Sequence, residues 1–314
     1  HSKFTAVPLQ RDIDGFLILL LTATIWGMAF VSQSKGMDYM HPFTFNGVRS
    51  LIGAAGILVY ILISRKIAGD KAAKLDWKLN VKAGLLCGIF LTIASTLQQF
   101  GIKYTSVGKA GFITTLYIIF VPMFGIFLKK KVAPVVWAAA GMAAVGMYLL
   151  CMTESLRLGA GDIMVFLCAI AFAIQIMTVD HYAARIDGAV VSCIQFTVCG
   201  VVCCIGALIW GQPTFGQIQE GLGALLYAGV LSCGVGYTLQ IVGQKGLNPT
   251  VAALIMSLES VIATISGWIA YKIGFLSTDQ TLTPRQIAGC IIVFAAVILV
   301  QLPPEWFRFG KKNA

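Results

Sequence analysis

The stretch IMSLESVIATISG, residues 255–267, places one acid, Glu259, almost at the centre of an otherwise apolar or small run. An ionised carboxylate at the middle of a membrane-spanning helix costs about 2.5 to 3.5 kcal/mol on insertion scales, so it persists only when paired, hydrated or protonated. Burial favours the neutral form of a carboxyl group, which suits proton exchange. Two interpretations stay open: Glu259 binds a proton or a substrate amino group in a cavity, or it is a neutral residue that holds helices together by a hydrogen bond.

Polar and aromatic side chains in other apolar runs fall on helical faces that could share a cavity with Glu259. An interhelical hydrogen bond in a membrane contributes only about 0.6 kcal/mol on average, so any single Gln or Ser is equally compatible with a structural role. The set is therefore more informative than its members. The candidate substrate or proton-binding residues in these runs are Ser95, Gln99, Tyr117, Gln175, Tyr237 and Gln240.

Two further candidates, Trp26 and Arg49, each allow a second interpretation. Trp26, in the motif TIWGMAF, lies too deep for the interfacial belt where Trp is enriched, so it either packs internally or lines the cavity. Arg49 lies a turn or two inside its apolar run. It is a counter-ion to substrate or to Glu259, or its long side chain reaches the lipid headgroups.

Other chemistries lack their residues. The string GAGD at 159–162 matches the GxGD of intramembrane aspartyl proteases, but Asp180, a full helix away, is too far to complete the dyad, so Asp162 is expected to be a helix N-terminal acid. The three His residues fall outside the middle of any apolar run, and GxSxG and HExxH motifs are absent from the sequence. The nine Cys residues lie in apolar runs without a CxxC, so we expect reduced packing thiols and no metal, cofactor or enzymatic activity.

The elements that position these residues are membrane helices. The 314 residues are 58% hydrophobic and 11% charged, with a mean hydropathy of +0.85, which is typical of an integral membrane protein. A helix needs about 20 mostly apolar residues to cross the bilayer. Ten such spans are predicted, at Phe16–Ser34, Phe43–Ile63, Val81–Phe100, Ala110–Leu128, Pro134–Met152, Ile163–Val179, Ala189–Trp210, Leu222–Val242, Val251–Tyr271 and Gln286–Leu302.

Basic residues set the expected orientation, because loops rich in Lys and Arg remain cytoplasmic. With a cytoplasmic N-terminus, sixteen Lys and Arg fall in or beside the inner segments. The outer segments then hold six: Lys35, Lys103, Lys109, Arg157, Lys272 and Arg285. Both termini are therefore predicted in the cytoplasm. This asymmetry and attraction to anionic lipid headgroups account for the net charge of +10, so nucleic-acid binding is not expected.

The two halves of the chain repeat each other, which is common in transporters. With a shift of 142 residues, Tyr117 aligns with Glu259 in the fourth and ninth spans. Five spans per half is an odd number, so the second half enters the membrane in the opposite sense and the two halves enclose a central site. Identical pairs in this alignment are Gly101/Gly243, Lys103/Lys245, Ala110/Ala252, Ile113/Ile255 and Leu116/Leu258.

The chain resembles the EamA-type transporters of the drug/metabolite transporter superfamily. The motifs that carry the resemblance are TIWGMAF, Arg49, QQFGIKYTSVGKAGFITTLYIIFVP at 98–122 and LNPTVAALIMSLESVIATISG at 247–267. The resemblance implies a ten-helix fold of two inverted five-helix halves in a bacterial inner membrane. Family members often have Leu-Glu-Pro in the ninth span, where this chain has Ser260. The usual cause of a kink at this position is therefore missing.

These observations predict an all-α integral membrane protein with a simple organisation and a transport function. The protein is expected to export a small metabolite, such as an amino acid, by alternating access, with protons as a candidate coupling partner and lipids around it. The alternative functions are those of a passive channel or facilitator and, much less favoured, of an intramembrane enzyme. HSKFT at the start lacks the features of a signal peptide, so no cleaved leader is expected. The expected segments are a cytoplasmic N-terminus at 1–15, repeats at 16–152 and 162–302, and a cytoplasmic tail at 303–314.

Overall fold

The structure is a computed structural model, and its described part is helical throughout. The end of the predicted fifth span, at Met152, and the predicted tail at 303–314 lie outside the described residues. Within the described part every regular element is helical, with no strand. The described residues are 6–129, 131–151, 159–277, 279–281 and 283–302.

Fourteen α-helices occur in these ranges, together with π-helical segments at Ala207–Gly211 and Tyr227–Gly236 and short 3₁₀ turns at Gly69–Lys71 and Ala183–Arg185. The α-helices are α1 Ala6–Gly36, α2 Pro42–Ala68, α3 Trp77–Tyr104, α4 Val107–Thr114, α5 Tyr117–Phe127, α6 Pro134–Cys151, α7 Ala160–Tyr182, α8 Gly188–Gly206, α9 Phe215–Glu220, α10 Leu222–Leu226, α11 Tyr237–Gln244, α12 Pro249–Met256, α13 Glu259–Lys272 and α14 Pro284–Gln301.

Seven helical stretches of the described chain are long and apolar enough to cross a membrane. Three predicted spans are shorter apolar helices, at Tyr117–Phe127, Pro134–Leu149 and Pro284–Leu299. Ten spans therefore stay a prediction: seven are long apolar helices within the described residues, one is interrupted before Tyr117, and α6 and α14 cover the other two. Large apolar side chains on the outer surface, such as Ile67 and Phe127, each 81% exposed, suit contact with lipid.

The fourth predicted span is interrupted just before Tyr117. Here the backbone tightens from the i→i−4 pattern: Leu116 N–H donates to Ile113 O at 3.2 Å, and Ile118 N–H donates to Thr115 O at 3.1 Å. Such a 3₁₀ turn satisfies the backbone polar groups while it changes the direction of the chain. Tyr117 consequently becomes the first residue of α5.

The ninth predicted span is interrupted in the same way before Glu259. Leu258 N–H donates to Ile255 O at 3.2 Å, and Ser260 N–H donates to Ser257 O at 3.1 Å. These bonds reproduce those before Tyr117 with the 142-residue shift that separates Tyr117 from Glu259. The missing Pro puts a kink at this position in doubt, but the interruption is present. The Ser260 hydroxyl also donates to Ser257 O, at 2.9 Å, and stabilises the turn without Pro.

Two close helix crossings hold opposite ends of the bundle. At Gly101, an added Cβ would lie 2.9 Å from Gly161 O, which brings the C-terminal end of α3 against the start of α7. At Gly15, an added Cβ would lie 3.2 Å from Gly243 O, which brings the start of α1 against the end of α11. Small residues allow backbones to approach this closely in membranes. The packing of α2 on α8 and of α6 on α14 completes the bundle.

Candidate functional site

A small enclosed cavity lies where the two interrupted spans meet α1, α2, α3, α7 and α11. Seven of the nine predicted site residues line it. Its volume is about 20 Å³, and a cavity needs about 10 to 15 Å³ to hold one water molecule. The described conformation is thus closed around a space for water and has no room for a metabolite. The predicted residues in its lining are Trp26, Arg49, Tyr117, Gln175, Tyr237, Gln240 and Glu259.

Glu259 and Tyr117 join the two halves of the chain. The Tyr117 hydroxyl donates to Glu259 Oε1 at 2.9 Å, and both side chains are buried. Each residue begins a helix directly after an interruption, so the two breaks place these side chains opposite each other. The acid also lies in the first turn of α13, where the positive end of the helix dipole stabilises negative charge.

Arg49 is directed inward. Its side chain is 4% exposed and lines the cavity, so the hypothesis that it reaches the headgroups is wrong for this conformation. Its Nε donates to Asn46 Oδ1 at 3.0 Å, and its guanidinium carbon lies 5.6 Å from the centre of the Phe45 ring. None of the ion pairs between described residues involves Arg49 or Glu259, so in this conformation Arg49 is not the counter-ion of Glu259, and a role as counter-ion to substrate stays a prediction.

Aromatic rings form one wall. The centroids of the Trp26 and Tyr237 rings lie 4.5 Å apart at an angle of 47°, and Trp26 Nε1–H donates to Ser232 O at 3.4 Å. The Phe196 ring packs edge to face against the Tyr237 ring, with the ring centroids 5.0 Å apart. Trp26 therefore both packs internally and lines the cavity, which combines the two interpretations. Phe172 adds a further ring to the lining.

Two glutamine pairs bound the cavity toward opposite ends of the bundle. Gln33 Nε2 donates to Gln98 Oε1 at 3.0 Å and links α1 to α3. Gln175 and Gln240 exchange bonds of 3.3 and 3.0 Å and link α7 to α11. Each pair is separated by 65 residues in sequence. Because α3 and α7 run antiparallel, the first pair lies toward one membrane face and the second toward the other.

Two predicted residues, Gln99 and Ser95, do not line the cavity. Gln99 lies behind Gln33, with Gln33 Nε2 donating to Gln99 Oε1 at 3.1 Å and Gln99 Nε2 donating to Gln33 O at 3.2 Å. Ser95 accepts a bond of 3.1 Å from Asn46 Nδ2. Both residues lie behind the lining, because their side chains leave α3 in a different direction from that of Gln98.

Several lining or supporting residues were not singled out from the sequence. Gln33 and Asn46 lie near the ends of predicted spans, where polar residues are ordinary, and Ser232 contributes only its carbonyl oxygen. Thr114 receives a bond of 3.2 Å from Gln98 Nε2. One signal could have found Gln33: its 65-residue distance to Gln98 equals the distance from Gln175 to Gln240.

Asp162 belongs to a separate polar cluster at the start of α7. It accepts hydrogen bonds from Gly159 N–H at 3.0 Å and Thr105 Oγ1 at 2.9 Å, and it pairs with Lys109 Nζ at 2.8 Å. This agrees with the interpretation of Asp162 as a helix N-terminal acid. Among the residues that the structure describes, no group of three His, Cys, Asp or Glu side chains could hold a metal ion.

Comparisons with known proteins agree over nearly the whole chain. Residues 14–152 and 159–302 each match the EamA-like transporter family. A protein of Archaeoglobus fulgidus named as an uncharacterized transporter is 28% identical over 90% of this chain and 84% of its own length. A similarly named protein of Clostridium kluyveri is 24% identical over 91% and 92%. One crystal structure shares the fold with a TM-score of 0.72 at 16% identity, covering 94% of this chain and 99% of that one.

Proposed function

We propose that this chain, which belongs to the EamA-like transporter family, exports a small metabolite, such as an amino acid, as a secondary transporter working by alternating access. Membership of the family and the apolar helices make it an integral membrane transporter. The proposal adds the bacterial inner membrane, a cytoplasmic location for both termini, and ten membrane-crossing segments in two inverted halves.

The packing of helices supports the inverted halves. If spans one to five correspond to spans six to ten, the contact of α3 with α7 corresponds to the contact of α11 with α1, and both are present. Likewise α2 packs on α8 and α6 on α14, each helix meeting its own counterpart. A pseudo-twofold axis in the membrane plane produces this pattern, because it exchanges the halves and preserves their contacts.

The observation that carries the proposal is the meeting of Glu259, Tyr117 and Arg49 at one enclosed polar cavity. Ionisable residues inside a membrane mark substrate or proton pathways in most known cases, because any other use costs stability. Glu259 suits a proton or a substrate amino group, and Arg49 suits a carboxylate. Trp26 and Tyr237 offer aromatic surface to the substrate body or to its ammonium group.

Alternating access requires that the closed cavity open toward one face at a time. The glutamine pairs Gln33–Gln98 and Gln175–Gln240 supply a closure toward each face. An amide pair suits this use, because both partners can exchange their mutual hydrogen bonds for bonds to water when the helices separate. The interrupted spans allow their halves to tilt separately about the 3₁₀ turns.

The proposal is tested by flux measurements on purified protein in liposomes, using labelled amino acids at a series of pH values. We expect saturable flux with counterflow, and loss of its pH dependence in Glu259→Gln. The control is Glu220→Gln, which changes an exposed acid at the end of α9 and should leave flux intact. Full and equally pH-dependent flux in Glu259→Gln would refute the assignment of Glu259.

A passive channel is the alternative. It uses the same polar lining but needs a continuous open path, whereas the cavity is enclosed and has a volume of about 20 Å³. Counterflow separates the two, because only a carrier exchanges labelled for unlabelled substrate against a gradient. Linear, non-saturating flux without counterflow would favour the channel.

A further inference from the structure

The charges that face the cavity consist of one cation and one acid. Of its lining residues, only Arg49 and Glu259 carry side chains that are charged at neutral pH in water, and they are 4% and 3% exposed. The ion pairs between described residues lie elsewhere in the molecule. Arg49 and Glu259 therefore face a shared space without direct contact, and the charge of any occupant adds to theirs.

Arg49 is oriented by a neutral partner. Asn46 accepts its Nε–H at 3.0 Å and is itself held by bonds from its Nδ2 to Ser95 Oγ at 3.1 Å and Cys203 Sγ at 3.3 Å. The other titratable groups that interact electrostatically with Arg49 are Tyr237, Cys199 on α8 and Cys233 in the π-helical segment Tyr227–Gly236. Cys203, also on α8, is linked to Arg49 through Asn46. No ion pair between described residues includes Arg49, so its positive charge is positioned without an acidic partner.

Glu259 is likewise the only acid at the cavity. Tyr117 on α5 donates to it, and the remaining titratable groups that interact with it are Cys168 on α7 and Tyr237 on α11, both neutral in an apolar surrounding. α1 contributes Gly27, whose backbone lies against Glu259 O, and no charged side chain to the lining. The protonation of Glu259 therefore depends on its burial, on the hydrogen bond from Tyr117 and on any charge that enters the cavity it shares with Arg49.

A buried site tolerates opposite charges together far better than one net charge. The empty cavity is neutral when Arg49 is cationic and Glu259 is ionised. An anionic group on Arg49 would leave a net negative charge unless Glu259 takes up a proton. We infer that an anionic group of the substrate and a proton enter this cavity as a pair, the anion at Arg49 and the proton at Glu259.

The inference rests on the proposed function and specifies its coupling. Because linkage is reciprocal, anion binding promotes protonation of Glu259, and protonation promotes anion binding by the same factor. A small carboxylate without a positive group takes up one proton as it binds. A zwitterion, whose ammonium group neutralises Glu259, takes up none. In both cases the cavity is neutral when empty and when loaded.

The test replaces the anionic group of the substrate by a carboxylate that is part of the protein. Asn46→Asp places a carboxylate at the atom that accepts from Arg49, without a change in side-chain size. Infrared spectra of the full chain in liposomes, taken over a series of pH values, report the carbonyl stretch of protonated carboxylic acids and hence the pH at which Glu259 ionises. We expect the Glu259 band to persist to higher pH in Asn46→Asp than in the natural chain. The band should be absent from Asn46→Asp/Glu259→Gln.

Two controls complete the test. Asn46→Ser removes the amide without adding charge, and Glu259 should titrate as in the natural chain. Arg49→Gln removes the cation, and Glu259 should stay protonated to higher pH, which keeps the inference testable if Asn46→Asp does not fold. An unchanged titration of Glu259 in Asn46→Asp or in Arg49→Gln, or a band in Asn46→Asp that survives Glu259→Gln, would each overturn the inference.

Flux in liposomes separates this inference from the proposed function. If the spectra behave as expected but no substrate shows counterflow, the charge linkage holds and the carrier proposal fails. If counterflow is found but Glu259 does not follow the charge at position 46, transport stands and the pairing of anion and proton fails.

Discussion

The hydrogen bond from the Tyr117 hydroxyl to Glu259 links the two predicted halves at the acid itself. It joins residues that occupy equivalent positions in the two halves, at the start of α5 and of α13. One half thus contributes a phenol and the other an acid. The duplication has become chemically asymmetric at the point where function is proposed.

Tyr117→Phe should remove this bond and leave the ring in place. We expect a loss of stability of about 1 kcal/mol, since hydrogen bonds between membrane helices contribute about 0.6 kcal/mol on average and at most about 1.7. The measurement is thermal unfolding of purified protein in detergent. Tyr60→Phe, at a side chain 62% exposed, is the matched control and should change nothing. Equal stability of the two variants would show that the bond contributes nothing to the fold.

At the scale of elements, the two interrupted spans determine where functional side chains lie. A continuous helix would carry Glu259 on the same face as its neighbours four residues before, whereas the 3₁₀ turn rotates the following segment. The break occurs without Pro, because Ser257 and Ser260 donate their hydroxyls to backbone carbonyls within it. Sequence patterns that identify kinks by Pro alone miss a turn of this kind.

Ser260→Pro should be tolerated for this reason. Position 260 lies in the first turn of α13, where the fixed φ of Pro is tolerated, although both bonds from Ser260 to Ser257 O are lost, so we expect a loss of about 1 to 2 kcal/mol. Ser266→Pro, in the interior of the same helix, should cost about 3 kcal/mol or more. Thermal unfolding compares them, and equal losses would contradict the presence of a pre-existing break.

The close crossing of α3 and α7 gives a second prediction at this scale. In Gly101→Ala the new Cβ would lie 2.4 Å from Val165 Cγ2 and 2.9 Å from Gly161 O, so the helices must separate. Overpacking of this kind costs about 1 to 3 kcal/mol. Gly141→Ala, where nothing lies within 4 Å, is the control and should be neutral or slightly stabilising. Similar melting temperatures for both variants would contradict the importance of the crossing.

At the scale of the whole molecule, the protein is a closed helical bundle of two repeats around a small polar space. Its helix contacts occur in pairs, and its two glutamine closures lie toward opposite faces. A duplicated and inverted fold offers alternating access directly, since the same rearrangement carried out in one half or the other opens opposite faces.

The orientation of the molecule can be checked by labelling. In a cysteine-free background, Asp38→Cys should react with an impermeant thiol reagent added outside intact cells, because it lies between α1 and α2. Asp70→Cys, exposed after α2, should react only after the membrane is permeabilised. These outcomes follow from the concentration of basic residues near position 70. The reverse pattern would contradict a cytoplasmic N-terminus.

The sequence by itself determined the class of molecule and the repeat. Hydropathy identified membrane helices because the bilayer requires long apolar runs, and the equivalence of Tyr117 and Glu259 was visible because a duplication preserves spacing. The sequence also indicated Glu259 as the unusual residue, because the burial of an acid in lipid is unfavourable wherever its partners lie.

Only the tertiary structure decided which polar side chains share the cavity. Gln98 lines it and Gln99 does not, although they are adjacent, because 100° of helix rotation separates them. The partner of Arg49 is Asn46 on its own helix, and Glu259 meets Tyr117 across 142 residues. These contacts depend on how the helices are packed and rotated, and local composition and periodicity do not specify that arrangement.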